Sequence, residues 1–479
     1  MTRFVKLFVI SLVVFLAGCK PIEDDIQDDL IDDDIVVEEP VDENPVLQQA
    51  DLKYAQVQTL LNELLPNELF DNYIFPSFND DPDVSVIWLS SNSVVLTRTG
   101  IINRQSEDVS VTITANLKCY EIDYVYTKEI VVKALELKSL NGKNITAAYL
   151  YTSTYKKIND EDCDKIDIVN FSFASISNGV LNISSLMGKL IEVTSLRNKG
   201  IHVCLSVGGW GADGFSDAVL TSVSRKKLID SIVNTLETYK FAGVDLDWEY
   251  PTTTAGGTIT GRPEDKQNFT LFLQELRVAL DLVNENYILS IAVPGTTYGM
   301  RYYEVDSIHQ YLDYVHLMTY DLIDYSTSEI SKHHTSLYAS IYNEGDIKSC
   351  VDSYKAAGVP ANKLVIGAAF YGHYGYVVDT TDGIGKTTTS GLSNSMDYTT
   401  IYNTYISISE NSNYIYFDEN AKASWYYDGN IFISYDDPIS LSYKCDYVKL
   451  ESLGGIMFWH YGGDQTGTLL DAIYQSFTN

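Results

Sequence analysis

From about residue 144 to the C-terminus, short unbroken apolar runs alternate with longer stretches in which apolar residues recur every three or four positions. The short runs are Ile145 to Tyr151, Ile166 to Phe173, Ile201 to Val207, Gly243 to Trp248, Tyr287 to Val293, Leu312 to Met318, Leu364 to Ala369 and Gly455 to Trp459. Runs of that length and composition read as strands buried on both faces. The stretches between them read as helices. In one, Phe269, Phe272, Leu273, Leu276 and Leu280 fall on one helical face, and Pro263, Glu264 and Asp265 stand where a first turn prefers them. Eight strands alternating with helices predict an α/β fold, a (β/α)8 TIM barrel, with its active site at the C-terminal strand ends. The last two strands are more than 80 residues apart, too far for a crossover, which predicts an inserted subdomain at about 374–440.

The pattern before residue 144 differs. Residues 47–138 begin with a helical stretch, Leu52 to Leu65, followed by alternating runs at Val84, Val86 and Trp88, Val94 to Leu96, Ile101-Ile102, Val109 to Ala115 and Ile130 to Val132. Such spacing predicts a small all-β sandwich, with Trp88 in its core. At the N-terminus, Arg3 and Lys6 precede an apolar run from Leu7 to Leu16, too short to span a bilayer, so residues 1–18 read as a secretory signal. Residues 20–46 carry twelve Asp and Glu against one Lys and read, with Cys19, as a solvated tether.

Much of the formal net charge of −32 sits in that tether. No basic face is visible, which argues against nucleic acid as a partner and leaves a neutral polymer compatible. Apart from Cys19, the cysteines Cys119, Cys163, Cys204, Cys350 and Cys445 are scattered without metal-ligand spacing. His333-His334 are adjacent, so their side chains point apart and lack partners, and no metal site or cofactor is expected.

The chemistry concentrates in Gly243-Val244-Asp245-Leu246-Asp247-Trp248-Glu249-Tyr250-Pro251. Three acids at i, i+2 and i+4 lie on one side of a strand, with successive Cα atoms roughly 6.6 Å apart. Crowded carboxylates relieve repulsion by sharing protons, which raises the pKa of at least one toward the range a general acid needs. Glu249, nearest the C-terminal strand end, is the candidate general acid/base. Exposed acids on a solvent face would not interrupt the apolar residues of a buried parallel strand.

The string VDLDWEYP resembles the signature of glycoside hydrolase family 18, and further motifs follow in the family's order. Ser206-Val207-Gly208-Gly209-Trp210 resembles its S-x-G-G strand end, Met318-Thr319-Tyr320-Asp321 its M-x-Y-D, and Gly454-Gly455-Ile456-Met457-Phe458-Trp459 its last strand with a sugar-stacking Trp. Phe370-Tyr371-Gly372 and Ser434-Tyr435-Asp436-Asp437-Pro438 resemble the flanks of the chitinase insertion domain. The likeness covers residues 145–479 and implies a domain over 144–479. It implies a retaining chitinase, a monomer without cofactor that cleaves β-1,4-linked N-acetylglucosamine in chitin or chitooligosaccharides. Such enzymes use the substrate's own acetamido group as nucleophile. On that resemblance Glu249 protonates the leaving oxygen, Asp247 orients the acetamido group, and Asp245 and Ser206 hold Asp247. Tyr149 supports Asp245, and Tyr320, Asp321, Met318 and Tyr371 position the sugar. Trp459 floors the subsite and Trp210 stacks on the leaving-group side.

Two further resemblances concern the N-terminal part. Leu16-Ala17-Gly18-Cys19 is similar to a bacterial lipobox, which implies a lipid anchor on Cys19 and a cell-envelope lipoprotein of the outer membrane. The acidic run after Cys19 is similar to surface-export signals of such lipoproteins and equally suits a periplasmic spacer. VIWLSSNSVVL with TGIINR and VTITA resembles the atrophied bacterial immunoglobulin-like domains beside secreted hydrolases. The catalytic part departs from the family in Ala242, where an Asp is frequent, in Leu322-Ile323-Asp324-Tyr325-Ser326, which lacks a Trp, and in His373, where an Arg is frequent. An endo-β-N-acetylglucosaminidase acting on N-glycan cores and a non-hydrolytic chitinase-like lectin remain alternatives.

Overall fold

The computed structural model describes residues 44–254, 260–323, 330–342 and 345–479. The expected signal, Cys19, the acidic run through residue 43 and Asp324-Tyr325-Ser326 lie outside them.

Eight parallel strands close into a barrel: Ile145–Tyr151, Ile168–Ser177, His202–Gly208, Gly243–Asp247, Ile288–Pro294, Tyr314–Met318, Leu364–Ala369 and Gly455–Trp459. The first strand pairs with both the eighth and the second, which completes the ring. Three strands have the bounds the apolar runs predict. The second runs on to Ser177 because its end forms a hairpin with Val180–Asn182. Strands such as Ile288–Pro294 and Leu364–Ala369 are buried at every position. That explains their unbroken apolar character: one face fills the barrel and the other meets the helices.

The helix Asp265–Val283 buries Phe269, Phe272, Leu273, Leu276 and Leu280, as its periodicity predicts. Its Phe269 meets Trp248 edge-on, with ring centroids 5.5 Å apart, while Phe215 stacks on the same indole at 5.2 Å. Alternation along the fourth strand thus sends Trp248 outward into the helical layer and the acids beside it inward.

The small β unit ahead of the barrel is a four-stranded sheet built from Glu68–Leu69, Ile122–Val132, Val109–Cys119 and Val84–Ser90, in that spatial order. Helix Pro45–Leu64 supplies its second layer, placing Ala50, Val57 and Leu61 against Val111, Ile113 and Ile130. Trp88 lies in that core, stacked on Phe75. Unlike the barrel strands, these alternate in burial because one face meets solvent.

Between the seventh and eighth barrel strands lies a five-stranded sheet with the order Asn394–Asp397, Tyr371–Tyr376, Ile431–Tyr435, Ala423–Tyr427 and Ile415–Asp418. A buried ion pair pins its base. Both carboxylate oxygens of Asp436 accept from Lys444 Nζ at 2.7 Å, and Asp436 also accepts from Ser440 Oγ at 2.8 Å and the Ala369 amide at 3.0 Å. Lys444 Nζ donates further to Thr335 Oγ1 at 2.7 Å. Removing one member of a fully desolvated pair strands the other charge, so Lys444→Met is expected to lower stability by about 3–5 kcal/mol. Urea unfolding checks this, and a loss below about 1 kcal/mol would mean the pair is solvated in the folded protein.

Candidate active site

Strand register builds the site. Ser206, Asp245 and Ser290 are direct partners on the third, fourth and fifth strands, so the three side chains form one row inside the barrel. Tyr149 enters from the first strand and His316 from the sixth. Asp245 accepts from Tyr149 Oη at 2.9 Å and Ser206 Oγ at 2.8 Å on one oxygen, and from Ser290 Oγ at 2.7 Å on the other. His316 Nδ1 lies 3.4 Å from that second oxygen and 3.0 Å from the Tyr149 hydroxyl.

The three acids meet different surroundings and hold protons differently. Burial works to raise the pKa of Asp245, but hydrogen bonds from His316, Ser290 and Ser206 outweigh it and hold the group below the usual carboxylate range. Asp247 is equally buried, yet its Oδ1 has no hydrogen-bond partner. Burial, then the charges of Glu249 and Asp245, push it well above the ordinary value. Glu249 rises to about 7, through burial first, with a hydrogen bond donated by the Tyr250 hydroxyl opposing and the charge of Asp321 adding. One carboxylate is therefore fixed as an anion at the base, and the two above it tend to keep protons near neutral pH.

The S-x-G-G motif has a steric reason. Gly208 and Gly209 have φ of +112° and +90°, and a Cβ on Gly208 would come within 2.0 Å of the Asp247 carbonyl oxygen. A Cβ on Gly209 would strike the Phe173 ring at 2.7 Å. These contacts let the third strand end turn away directly beside the acids. Ser206 binds Asp245 and not Asp247, a correction to the expected contact: the in-register pair faces it toward Asp245, so it acts on Asp247 only through that anion.

Aromatic rings line the mouth. Trp459 stacks on Phe173, with centroids 5.6 Å apart and planes at 20°, and is flanked by Tyr151 at 5.3 Å and Tyr149 at 5.8 Å. Trp210 is 65% exposed and touches Tyr250 edge-on at 6.4 Å, so most of its surface is open to a ligand. Tyr320 is buried, reaches Met457 Sδ at 3.9 Å and meets Tyr371 edge-on. Met318, Tyr371 and Trp459 pack on the same interior cluster as Tyr149 and Tyr320.

Asp321 lies next to this cluster in a left-handed conformation, φ +57°, sparsely populated for a residue with a side chain. Its Oδ1 accepts from the Tyr371 hydroxyl and lies 2.8 Å from His373 Nε2. His373, the departure noted in the sequence, is thus a partner of Asp321. His333 and His334 do point apart, His333 toward Asp418 at 3.3 Å and His334 toward Asp321 at 3.9 Å. The expectation that this pair lacks partners is corrected: His334 packs between the rings of Tyr371 and His373, which arrive from the insertion. Burial, followed by the nearness of His373, Lys444 and His333, pushes the His334 pKa well below the ordinary imidazole value.

Two residues at the base, Ser290 and His316, were not anticipated. Each interrupts a buried strand with a polar group, the same sign that marks the three acids, so the sequence did carry a trace of them.

Comparison with known proteins follows the same boundaries. The sequence profile of Glycosyl hydrolases family 18 matches residues 145–464. Chitinase A1 of Niallia circulans is 34% identical over 309 residues, 59% of this chain and 44% of that protein, so the likeness spans less than half of its length. Among solved structures, a family 18 N-acetylglucosaminidase from Paenibacillus barengoltzii is 36% identical with a TM-score of 0.65, covering 70% of this chain and all of the other. A chitinase-like agglutinin from Robinia pseudoacacia is 26% identical with a TM-score of 0.60, covering 69% of this chain and 99% of the other. The barrel, the row of acids and the matched segment, two thirds of the sequence, together show that this chain belongs to glycoside hydrolase family 18.

Proposed function

We propose that this chain is a retaining glycoside hydrolase that cuts β-1,4-linked N-acetylglucosamine polymers or oligomers, a chitinase. The observation that carries the reading is the convergence of Asp245, Asp247 and Glu249 at one strand end, with Asp245 held by Tyr149, Ser206 and Ser290 and Asp247 left with a buried, unpartnered oxygen. Glu249, protonated near neutral pH, gives its proton to the glycosidic oxygen as the bond to the anomeric carbon breaks. The acetamido oxygen of the same sugar attacks that carbon and forms an oxazolinium ion, the substrate-assisted route of this family. The buried, unpartnered Oδ1 of Asp247 faces the acetamido N–H, and the carboxyl group stabilises the positive charge. Glu249, now a carboxylate, takes a proton from water, which opens the ring from the face the leaving group vacated. Two inversions at one carbon give net retention.

Trp459 forms the floor beneath the reacting sugar, Trp210 the platform on the leaving-group side, and Tyr320, Asp321, Tyr371 and Met318 the wall that positions the acetamido group. The insertion places Tyr371 and His373 along one side of the site, beside Asp321, an addition that suits a linear polymer better than a branched glycan core. Likeness to a chitinase-like agglutinin supports a second reading, binding without cleavage; the presence of Glu249 favours cleavage.

Incubation with chitohexaose and, separately, with a high-mannose glycoprotein, followed by mass spectrometry, separates the readings. Short N-acetylglucosamine oligomers from the first alone support the proposal, glycan release from the second alone indicates an N-glycan endoglycosidase, and no product from either indicates a lectin. Glu249→Gln is expected to lower turnover roughly 10²–10⁴-fold while calorimetry still detects chitohexaose binding; turnover at the wild-type rate would remove Glu249 as the acid. With Glu249 at about 7, the acid form is lost as pH rises through that value, so kcat/KM is expected to decline above neutrality. A flat profile to about pH 9 would contradict that assignment.

We also propose that Cys19 carries the lipid anchor, on the lipobox-like Leu16-Ala17-Gly18-Cys19. Palmitate labelling in a bacterial host is expected for the wild type and absent for Cys19→Ser; equal labelling of both would place the lipid elsewhere.

A further inference from the structure

The insertion brings His373 against Asp321, next to the buried ring of His334. His373 Nδ1 lies 2.7 Å from the Leu392 carbonyl, which can only accept, so Nδ1 carries the hydrogen. Nε2, the other ring nitrogen, faces Asp321 Oδ1 2.8 Å away. A proton or a metal ion between these two atoms satisfies both. The second observation is His334, fully buried, with neither ring nitrogen hydrogen-bonded, and with Nδ1 3.9 Å from the same carboxylate oxygen. A polar ring buried without hydrogen bonds is unfavourable unless something else satisfies it.

We propose that Asp321, His334 and His373 form a binding site for a divalent transition-metal ion of the zinc type, and that its occupation withdraws Asp321 from the sugar. One ligand-capable atom from each residue lies within 4.8 Å of the others. With metal bonds of about 2.0–2.1 Å, ligand atoms in a tetrahedron stand about 3.3 Å apart. The His373–Asp321 separation of 2.8 Å would open and the His334–Asp321 separation of 3.9 Å would close, each by about half an ångström.

The bond from His373 Nδ1 to the Leu392 carbonyl is the outer contact that commonly fixes the tautomer of a metal-ligating histidine. Two imidazoles and one carboxylate suit zinc, copper or nickel rather than magnesium or calcium. The neighbouring cation Lys444 is already neutralised by Asp436. The Asp321 side chain is 39% exposed, which gives an ion access to the carboxylate.

Metal binding is independent of the proposed reaction, and only its inhibitory effect rests on the chitinase reading. Zn²⁺ is titrated by calorimetry into full-length protein treated with EDTA and dialysed. One ion per chain is expected, with affinity reduced at least tenfold in His334→Phe and in His334→Gln, and no comparable binding of Mg²⁺. Co²⁺ in place of Zn²⁺ is expected to give the visible absorption of a four-coordinate site, lost in both variants. No saturable Zn²⁺ binding up to about 1 mM, or variants that bind as tightly as the wild type, would overturn the site and leave a proton as the species between His373 and Asp321.

In the activity arm, Zn²⁺ is expected to inhibit hydrolysis of chitohexaose by the wild type, EDTA to restore it, and His334→Phe to be insensitive. Binding without inhibition would overturn the claim on Asp321. Binding by a protein that, free of metal, hydrolyses nothing would overturn the hydrolase reading while leaving the site intact.

Discussion

An anion held in the interior of a barrel, away from water, is the constraint around which this site is arranged. Asp245 is fully buried, and burying an unpaired carboxylate is so unfavourable that the group would otherwise take up a proton. It stays ionised because Tyr149, Ser206, Ser290 and His316 meet it from the first, third, fifth and sixth strands. A closed barrel supplies this convergence, since its curvature aims inward side chains from separate strands at one axis. Once Asp245 is fixed as an anion, Asp247 two residues above, itself buried and close to Glu249, cannot easily ionise as well.

The surrounding layers serve that arrangement. Trp248, wedged between Phe215 and Phe269, locks the strand end that carries Asp247 and Glu249. Glycines at 208 and 209 let the third strand end pass close to it. The insertion contributes more than a groove wall. Its first strand begins at Tyr371 and delivers Tyr371 and His373 to Asp321, while the buried Asp436–Lys444 pair ties its exit to the amide of Ala369. The residues that hold the insertion and those that complete the site are therefore continuous in the chain.

The sequence by itself determined the strand count, the position of the insertion, the face of helix Asp265–Val283 and the three acids, because each depends on local periodicity or on polar residues that break a buried apolar run. From their adjacency it likewise told that the side chains of His333 and His334 diverge. What it could not supply was register and long-range proximity. Ser206 faces Asp245 because of how two strands align, and Ser290 and His316 join the same row from segments 45 and more residues distant in sequence. His334 meets His373 only because the insertion folds back across the barrel mouth. The small N-terminal unit shows the same limit, since alternating burial fixes one face of a sheet but not whether a second sheet or, as here, a helix covers it. Periodicity is written along the chain, whereas contacts between distant residues arise only once the barrel closes.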